Sequence, residues 1–296
     1  MTAIVVDDLR KSYGAVEAVR GVSFTVEEGE IFGLLGPNGA GKTTTIEILE
    51  GYRQRDAGTV TVLGIDPHHG GRKLRERVGL VLQEAAVPPR LSVLELVELY
   101  RGYYPAPRPA AEIIELVGLT EKTNERIGKL SGGQQRRLDV ALGLVGDPEL
   151  IFLDEPTTGF DPSARRAAWE VVRNMRTLGK TIVLTTHYMD EAQNLADRIC
   201  VIASGKVVAQ GTPETLRAGT DQLTHIRFDL PDGVDISGAP GKSVVRDGVV
   251  VIETPAPTRS LHELTTWAVG LGLELPNLEV TRPSLEDVYL ELTNHE

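Results

Sequence analysis

One cysteine in 296 residues excludes an internal disulfide framework and fits a reducing compartment. That residue, Cys200, stands in the apolar run Arg198-Ile199-Cys200-Val201-Ile202, where a buried strand position is expected rather than a reactive thiol. Long hydrophobic runs are missing too. No apolar stretch approaches the roughly 18 to 20 residues needed to cross a bilayer, so any spanning helices that the protein works with are expected from another chain. The N-terminus carries Asp7 and Asp8 and has neither the basic start nor the apolar stretch of a secretory signal, which predicts a cytoplasmic location. Positive charge is in deficit: 31 Lys and Arg against 42 Asp and Glu leave a net charge of -11. Such a surface repels nucleic acid and acidic lipid, so nucleic acid is not an expected partner and any polyanion must be bound locally. Gly and Pro, at 31 and 17, are too few for a low-complexity chain. The length fits two domains, or one large domain with an appendage.

What is present reads as α/β. Short apolar runs at Ile31 to Gly36, Val78 to Leu82, Leu150 to Leu153, Thr181 to Thr185 and Ile199 to Ala203 predict strands. Amphipathic helical patterns lie between them, the signature of a largely parallel sheet covered on both faces. Closely spaced strands between Ile4 and Thr61 predict an antiparallel flap beside that sheet. Ser92 with Glu95 makes a capping box for one helix, and Asp161-Pro162 supplies a cap and a first-turn proline for another that ends near Gly179. Leu138, Ala141, Leu142 and Val145 recur at helical spacing after a glycine pair.

The composition shifts after Thr212-Pro213-Glu214, and two domains are expected, 1–220 and a small α+β domain, 221–296. In the latter, Ile226, Phe228 and Leu230 alternate, and Val244 to Ile252 folds about Asp247-Gly248 as a hairpin. Leu261, Leu264, Ala268 and Leu271 form a helical stripe. A last helix is capped by Ser284 and Asp287 and buries Leu285, Val288, Tyr289 and Leu292.

The chemistry concentrates in three places. Gly36-Pro37-Asn38-Gly39-Ala40-Gly41-Lys42-Thr43, followed by Thr44, satisfies the phosphate-loop pattern between a strand and a helix. Its glycines let consecutive N–H groups face phosphate oxygens, Lys42 reaches the terminal phosphates, and Thr43 can ligate Mg²⁺. Leu150-Ile151-Phe152-Leu153-Asp154-Glu155 is a buried strand ending in two carboxylates. Asp154 is placed to hold Mg²⁺ and Glu155 to orient and deprotonate the attacking water. Ser131-Gly132-Gly133-Gln134 opens a helix with a hydroxyl and free glycine N–H groups, a second anion site. His68-His69 lacks a cysteine or acidic partner at ligand spacing, and a solvated loop is expected there.

With Leu130-Ser131-Gly132-Gly133-Gln134 between the phosphate loop and the Asp-Glu strand, the chain resembles the ATP-binding cassette (ABC) ATPases over about Ile4 to Gly211. The resemblance implies a parallel core sheet, an antiparallel β flap and a helical subdomain, with ATP and Mg²⁺ as ligands. It further implies that Tyr13 stacks on adenine and that Gln83 senses Mg²⁺ and the attacking water. Asp161 is then the link between the two half-sites, and His187 the contact to the γ-phosphate. Phe160 departs from the leucine more usual before that aspartate. The tail, Pro283 to Thr293, resembles the extension of cassette subunits from drug-resistance and polymer-export systems, although a helix that only packs the extra domain fits the residues equally well.

One phosphate loop and one signature per chain, with no internal repeat, imply a sandwich dimer of two cassettes, a homodimer or a pair of paralogues. An integral membrane permease, docked through the segment after Gln83 and the loop Tyr103 to Pro109, is the implied partner. A soluble cassette acting on ribosomes or DNA is the alternative, although such chains join two cassettes or carry a long insertion. A GTPase or small-molecule kinase would lack an explanation for the signature.

Overall fold

Alternating buried and exposed side chains build the first two elements, β1 (Thr2–Tyr13) and β2 (Val16–Glu27), which pair antiparallel. In this computed structural model residues 1–81, 87–218, 224–230, 234, 236–246 and 248–281 are described. A fully buried strand, β3 (Ile31–Leu35), runs into the phosphate loop, and helix α1 (Lys42–Leu49) leaves it. Strand β4 (Ala57–Val62) returns to pair with β1, completing a three-stranded flap in the order β2-β1-β4.

Helix α2 (Pro67–Arg75) starts on an Asp66 cap with Pro67 in its first turn. His68 and His69 are exposed on that turn rather than in a loop, because the Asp66 carboxylate accepts the His68 N–H at 3.0 Å and nucleates the helix over them. Among the described residues no group of three or more His, Cys, Asp or Glu side chains could hold a metal ion.

Strand β5 (Val78–Val81) precedes two helices, α3 (Val93–Arg101) and α4 (Ala110–Leu116), the first with the expected Ser92–Glu95 capping box. Helix α5 (Gly132–Leu144) follows, then β6 (Leu150–Asp154), α6 (Pro162–Thr177), β7 (Thr181–Thr186), α7 (Met189–Leu195), β8 (Arg198–Ala203) and β9 (Lys206–Gly211). Six strands form one sheet in the order β5-β6-β7-β3-β8-β9, parallel except for the β8–β9 pair. Both faces are covered, which is why β3, β6 and β7 carry continuous apolar runs instead of alternation. One core packs β6 and β7 side chains with α3 to α6, and another joins the flap to β3 and α1. Cys200 is buried in β8, and burial pushes its thiol up to about 12, as its apolar setting predicted.

The chain divides into two compact units, Met1–Pro213 and Glu214–Glu296. The second contains α8 (Pro213–Ala218) over most of its length, then β10 (Thr224–Asp229), β11 (Ser243–Arg246), β12 (Val249–Thr254), α9 (Pro257–Gly270) and β13 (Glu279–Thr281). Its antiparallel sheet has the order β11-β12-β10-β13. The β11–β12 hairpin closes with Arg246 opposite Val249. Leu264 packs against Ile226, Phe228, Val250 and Ile252 and Ala268 is buried, but Leu271 is exposed because the helix stops at Gly270. Gln83, Asp247 and the tail from 282 onward, including its expected helix, lie outside the described residues.

Candidate functional site

The phosphate loop is shaped by two contacts that only glycine tolerates. A Cβ on Gly36 would stand 2.3 Å from the Ile202 carbonyl oxygen, and one on Gly41, at φ 101°, would stand 2.4 Å from that of Ala18. The backbone therefore curls tightly into α1, whose N-terminus at Gly41 carries no side-chain cap. Uncapped N–H groups at a helix start bear partial positive charge, and an anion satisfies them.

Lys42 is buried beside this turn. Its ammonium donates to the carbonyl oxygens of Gly36 at 2.8 Å and Pro37 at 3.1 Å, and stands 3.8 Å from Glu155 Oε1. Burial lowers its pKa, while Glu155 and Asp154 pull the other way and hold the cation charged against desolvation. A cavity of about 530 Å³ is lined by Tyr13, Asn38, Gly39, Gly41, Lys42, Thr43, Thr44, Asp154 and Glu155. Most of the phosphate-loop residues singled out from the sequence thus meet the two strand-end carboxylates and the aromatic. Gly36, Pro37 and Ala40 do not line this cavity, and the Gly36 and Pro37 carbonyls hold the Lys42 ammonium instead.

The two carboxylates face different surroundings. Asp154 Oδ1 accepts a short hydrogen bond from the Thr185 hydroxyl, whose oxygen in turn accepts the Glu155 N–H at 2.9 Å. Glu155 accepts from Thr158 Oγ1 at 3.0 Å and lies 3.3 Å from His187 Nδ1, which makes no aligned hydrogen bond. Thr185 escaped the sequence reading because its run, Thr181 to Thr186, reads as plain strand. The signal was the register, which sets Asp154 opposite Thr185. Arg53 was also missed: its guanidinium lies 5.1 Å from the centre of the Tyr13 ring and pairs with Glu47, so the exposed aromatic is backed by a cation.

Ser131, Gly132 and Gly133 of the signature line a second cavity, of about 830 Å³, with Thr158, Phe160 and Asp161, whereas Gln134 is not among its lining residues. Ser131 caps α5, accepting the Gln134 N–H at 3.3 Å while Gln134 Oε1 accepts the Ser131 N–H at 2.9 Å. Gln134 therefore closes a capping box. Asp161 caps α6 through the N–H groups of Ser163 and Ala164. Glu155 lines both cavities, whereas neither is lined by both Lys42 and Ser131.

A phosphate loop, a strand-end carboxylate pair and a capped signature helix on this sheet define a nucleotide-hydrolysing cassette of the phosphate-loop class. Residues 19–158 match the family described as "ABC transporter", and residues 224–284 match the "ABC transporter domain-containing protein-like, C-terminal domain". The chain is 44% identical to a Nod factor export ATP-binding protein I of Burkholderia orbicola, covering 98% of this chain and 96% of that protein. It is 37% identical to a daunorubicin resistance ATP-binding protein of Streptomyces coeruleorubidus, covering 99% and 95%. Among solved structures, a dimeric ATP-binding cassette in a post-hydrolysis state bound to ADP and Pi superposes with a TM-score of 0.62 at 26% identity, covering 71% of this chain and 98% of that one. The chain belongs to the ATP-binding subunits of ABC transporters, in the exporter group that has a C-terminal extension. It is an ATPase, and subunits of this family pair and work with membrane-embedded partners. No helix among the described residues is long and apolar enough to cross a membrane.

Proposed function

We propose that two copies of this chain close face to face around ATP at the cytoplasmic face of the membrane and drive a separate permease that exports amphipathic or polymeric cargo. The observation that carries this reading is the separation of the two cavities: Lys42 and Ser131, both suited to phosphate, line different walls of one chain. A second copy presented head to tail brings Ser131 and Gly133 to the phosphates held by Lys42. Hydrolysis then weakens the seam, and reopening performs work on the permease.

Within each half-site Tyr13 stacks on adenine, the loop N–H groups and Lys42 hold the phosphates, and His187 contacts the γ-phosphate. Glu155 takes the proton of the attacking water. Asp161 links the two half-sites across the seam. The donor set fits Mg²⁺: Thr43 and Asp154 line one cavity, and a cation of this kind is bound by one or two protein oxygens plus substrate phosphates rather than by a protein cage. With Gln83 as a further ligand, Mg²⁺ would supply charge neutralisation on the phosphate oxygens. We assign this chemistry to the domain expected over 1–220 and an accessory role to 221–296, a boundary a few residues beyond the division of the compact units after Pro213.

Ser131→Arg tests the shared site. It should abolish hydrolysis while a lone chain still binds ATP, and adding a Lys42→Ala partner should restore one working site in the mixed dimer. Full activity of the Ser131→Arg chain as an isolated monomer would overturn the reading. Co-purification with ribosomes instead of a membrane protein would favour the soluble alternative.

A further inference from the structure

Glu155 has φ 45°, a left-handed backbone for a residue with a Cβ. Such a conformation is strained and persists only where the surroundings impose it. From one side the Glu155 N–H is taken by Thr185 Oγ1. From a second, buried Arg136 on α5 donates to the carbonyl oxygens of Asp154 and Pro156, each at 3.2 Å. The third constraint comes from a group with no place in the chemistry above.

Glu191 lies on α7, four residues beyond His187, and is fully buried. Its Oε1 accepts from Thr157 Oγ1 at 2.8 Å and from Trp169 Nε1 at 3.2 Å. Burial raises its pKa, opposed by the neighbouring Thr186 and Thr157 hydroxyls, the Trp169 N–H and the charge of Arg165. Arg165 itself pairs with Asp190 at 3.0 Å and lies over the Tyr188 ring. Thr157 is as buried as Glu191 and stands two residues after Glu155. The carboxylate thus joins the loop that carries the base to the helix that begins just after His187.

We infer that Glu191 is a positioning residue for hydrolysis: through the Thr157 hydroxyl it fixes the backbone of Glu155 and keeps Glu155 and His187 in one arrangement. The inference rests on Glu155 being the base. A buried carboxylate is a costly way to pack a helix, since an apolar residue of similar volume packs as well without desolvation. What the carboxylate adds is direction, through one hydrogen bond from Thr157 on the strained loop and a second from Trp169 on α6. Misplacing a reacting group by about 1 Å costs on the order of 10²-fold in rate, so loosening this tether should appear in kcat and spare ATP binding.

The test is steady-state ATP hydrolysis by the full chain carrying Thr157→Val, Glu191→Ala, Glu191→Gln or the first two together. Thr157→Val and Glu191→Ala should each lower kcat by about 10- to 100-fold, with KM for ATP changed by less than about 3-fold. Glu191→Gln, which keeps an acceptor for Thr157, should recover most of the rate. The double variant should be no slower than the worse single one, because both remove the same link. If Glu191→Ala fails to fold, Thr157→Val decides alone, since it keeps the volume and removes only the donor. Wild-type kcat in Thr157→Val, or equal losses in Glu191→Gln and Glu191→Ala, would overturn the inference. Glu155→Gln run alongside separates the two levels: full turnover there removes the base assignment itself, whereas a dead Glu155→Gln beside an unaffected Thr157→Val removes only the tether.

Discussion

Two helix N-termini carry the proposed phosphate contacts, and they are finished differently. Helix α1 begins at Gly41 with no side-chain cap, whereas α5 begins at Ser131 inside a reciprocal capping box. The first leaves its N–H groups to be satisfied by phosphate, and a buried lysine stands beside them. The second already has two of its N–H groups satisfied within the box, and offers the Ser131 hydroxyl and the glycine N–H groups as a further contact. An end that depends on its ligand suits tight nucleotide capture. One that does not suits a contact made and broken once per cycle.

The sharpest way to break this contrast is at the wall shared by both cavities. Glu155→Gln should lower turnover by about 10² to 10⁴-fold and leave ATP binding and pairing intact. In size-exclusion chromatography with ATP it should elute as a dimer, and a strictly monomeric elution with the membrane partner supplied would remove the sandwich. At α1, Lys42→Ala should lower hydrolysis by about 10² to 10³-fold, in the range of losing one donor to developing charge. It should also weaken ATP binding by a lone chain, seen by titration calorimetry. At α5, Ser131→Ala should leave that lone-chain binding unchanged. Its cost is the cap, about 0.5–2 kcal/mol of stability, together with a smaller fall in hydrolysis. Equal binding losses in the last two variants would erase the distinction between the helix ends.

The smallest effect belongs to a half-buried acid at the far end of α1. Burial, with Asp154 and Glu47 adding to it, raises the Glu50 pKa from 4.5 to about 8. A raised acid favours the folded chain at low pH, and that contribution is lost as pH rises from about 4.5 through about 8. Glu50→Gln removes the charge, so its melting temperature should exceed that of the parent at pH 9 and match it at pH 4. At this chain length the gap is roughly 2–4 °C for each kcal/mol recovered. A constant offset across that range would contradict the assignment.

Much of the site could be read in order along the chain, because its parts are local. The phosphate loop, the capping box of α3 and the Asp161-Pro162 cap each depend on residues within one turn of each other. Thr185, Arg53 and Glu191 could not be read that way. Each acts on a residue distant in sequence, and a threonine in a strand, an arginine in a loop and a glutamate in a helix are ordinary in isolation. The paired histidines show the opposite error: His68-His69 looks like loop until Asp66 caps the helix beneath them.

By itself the sequence determined the period and punctuation of the elements: apolar runs for covered strands, glycines where a Cβ would strike a carbonyl, caps where helices start. Those follow from sterics and hydrogen bonding over a few residues. Only the tertiary structure decided which strand ends meet, that Glu155 adopts a left-handed backbone, and that phosphate loop and signature open onto separate cavities. Sheet order and register set those relations, and both arise from packing energy summed over contacts far apart in the chain.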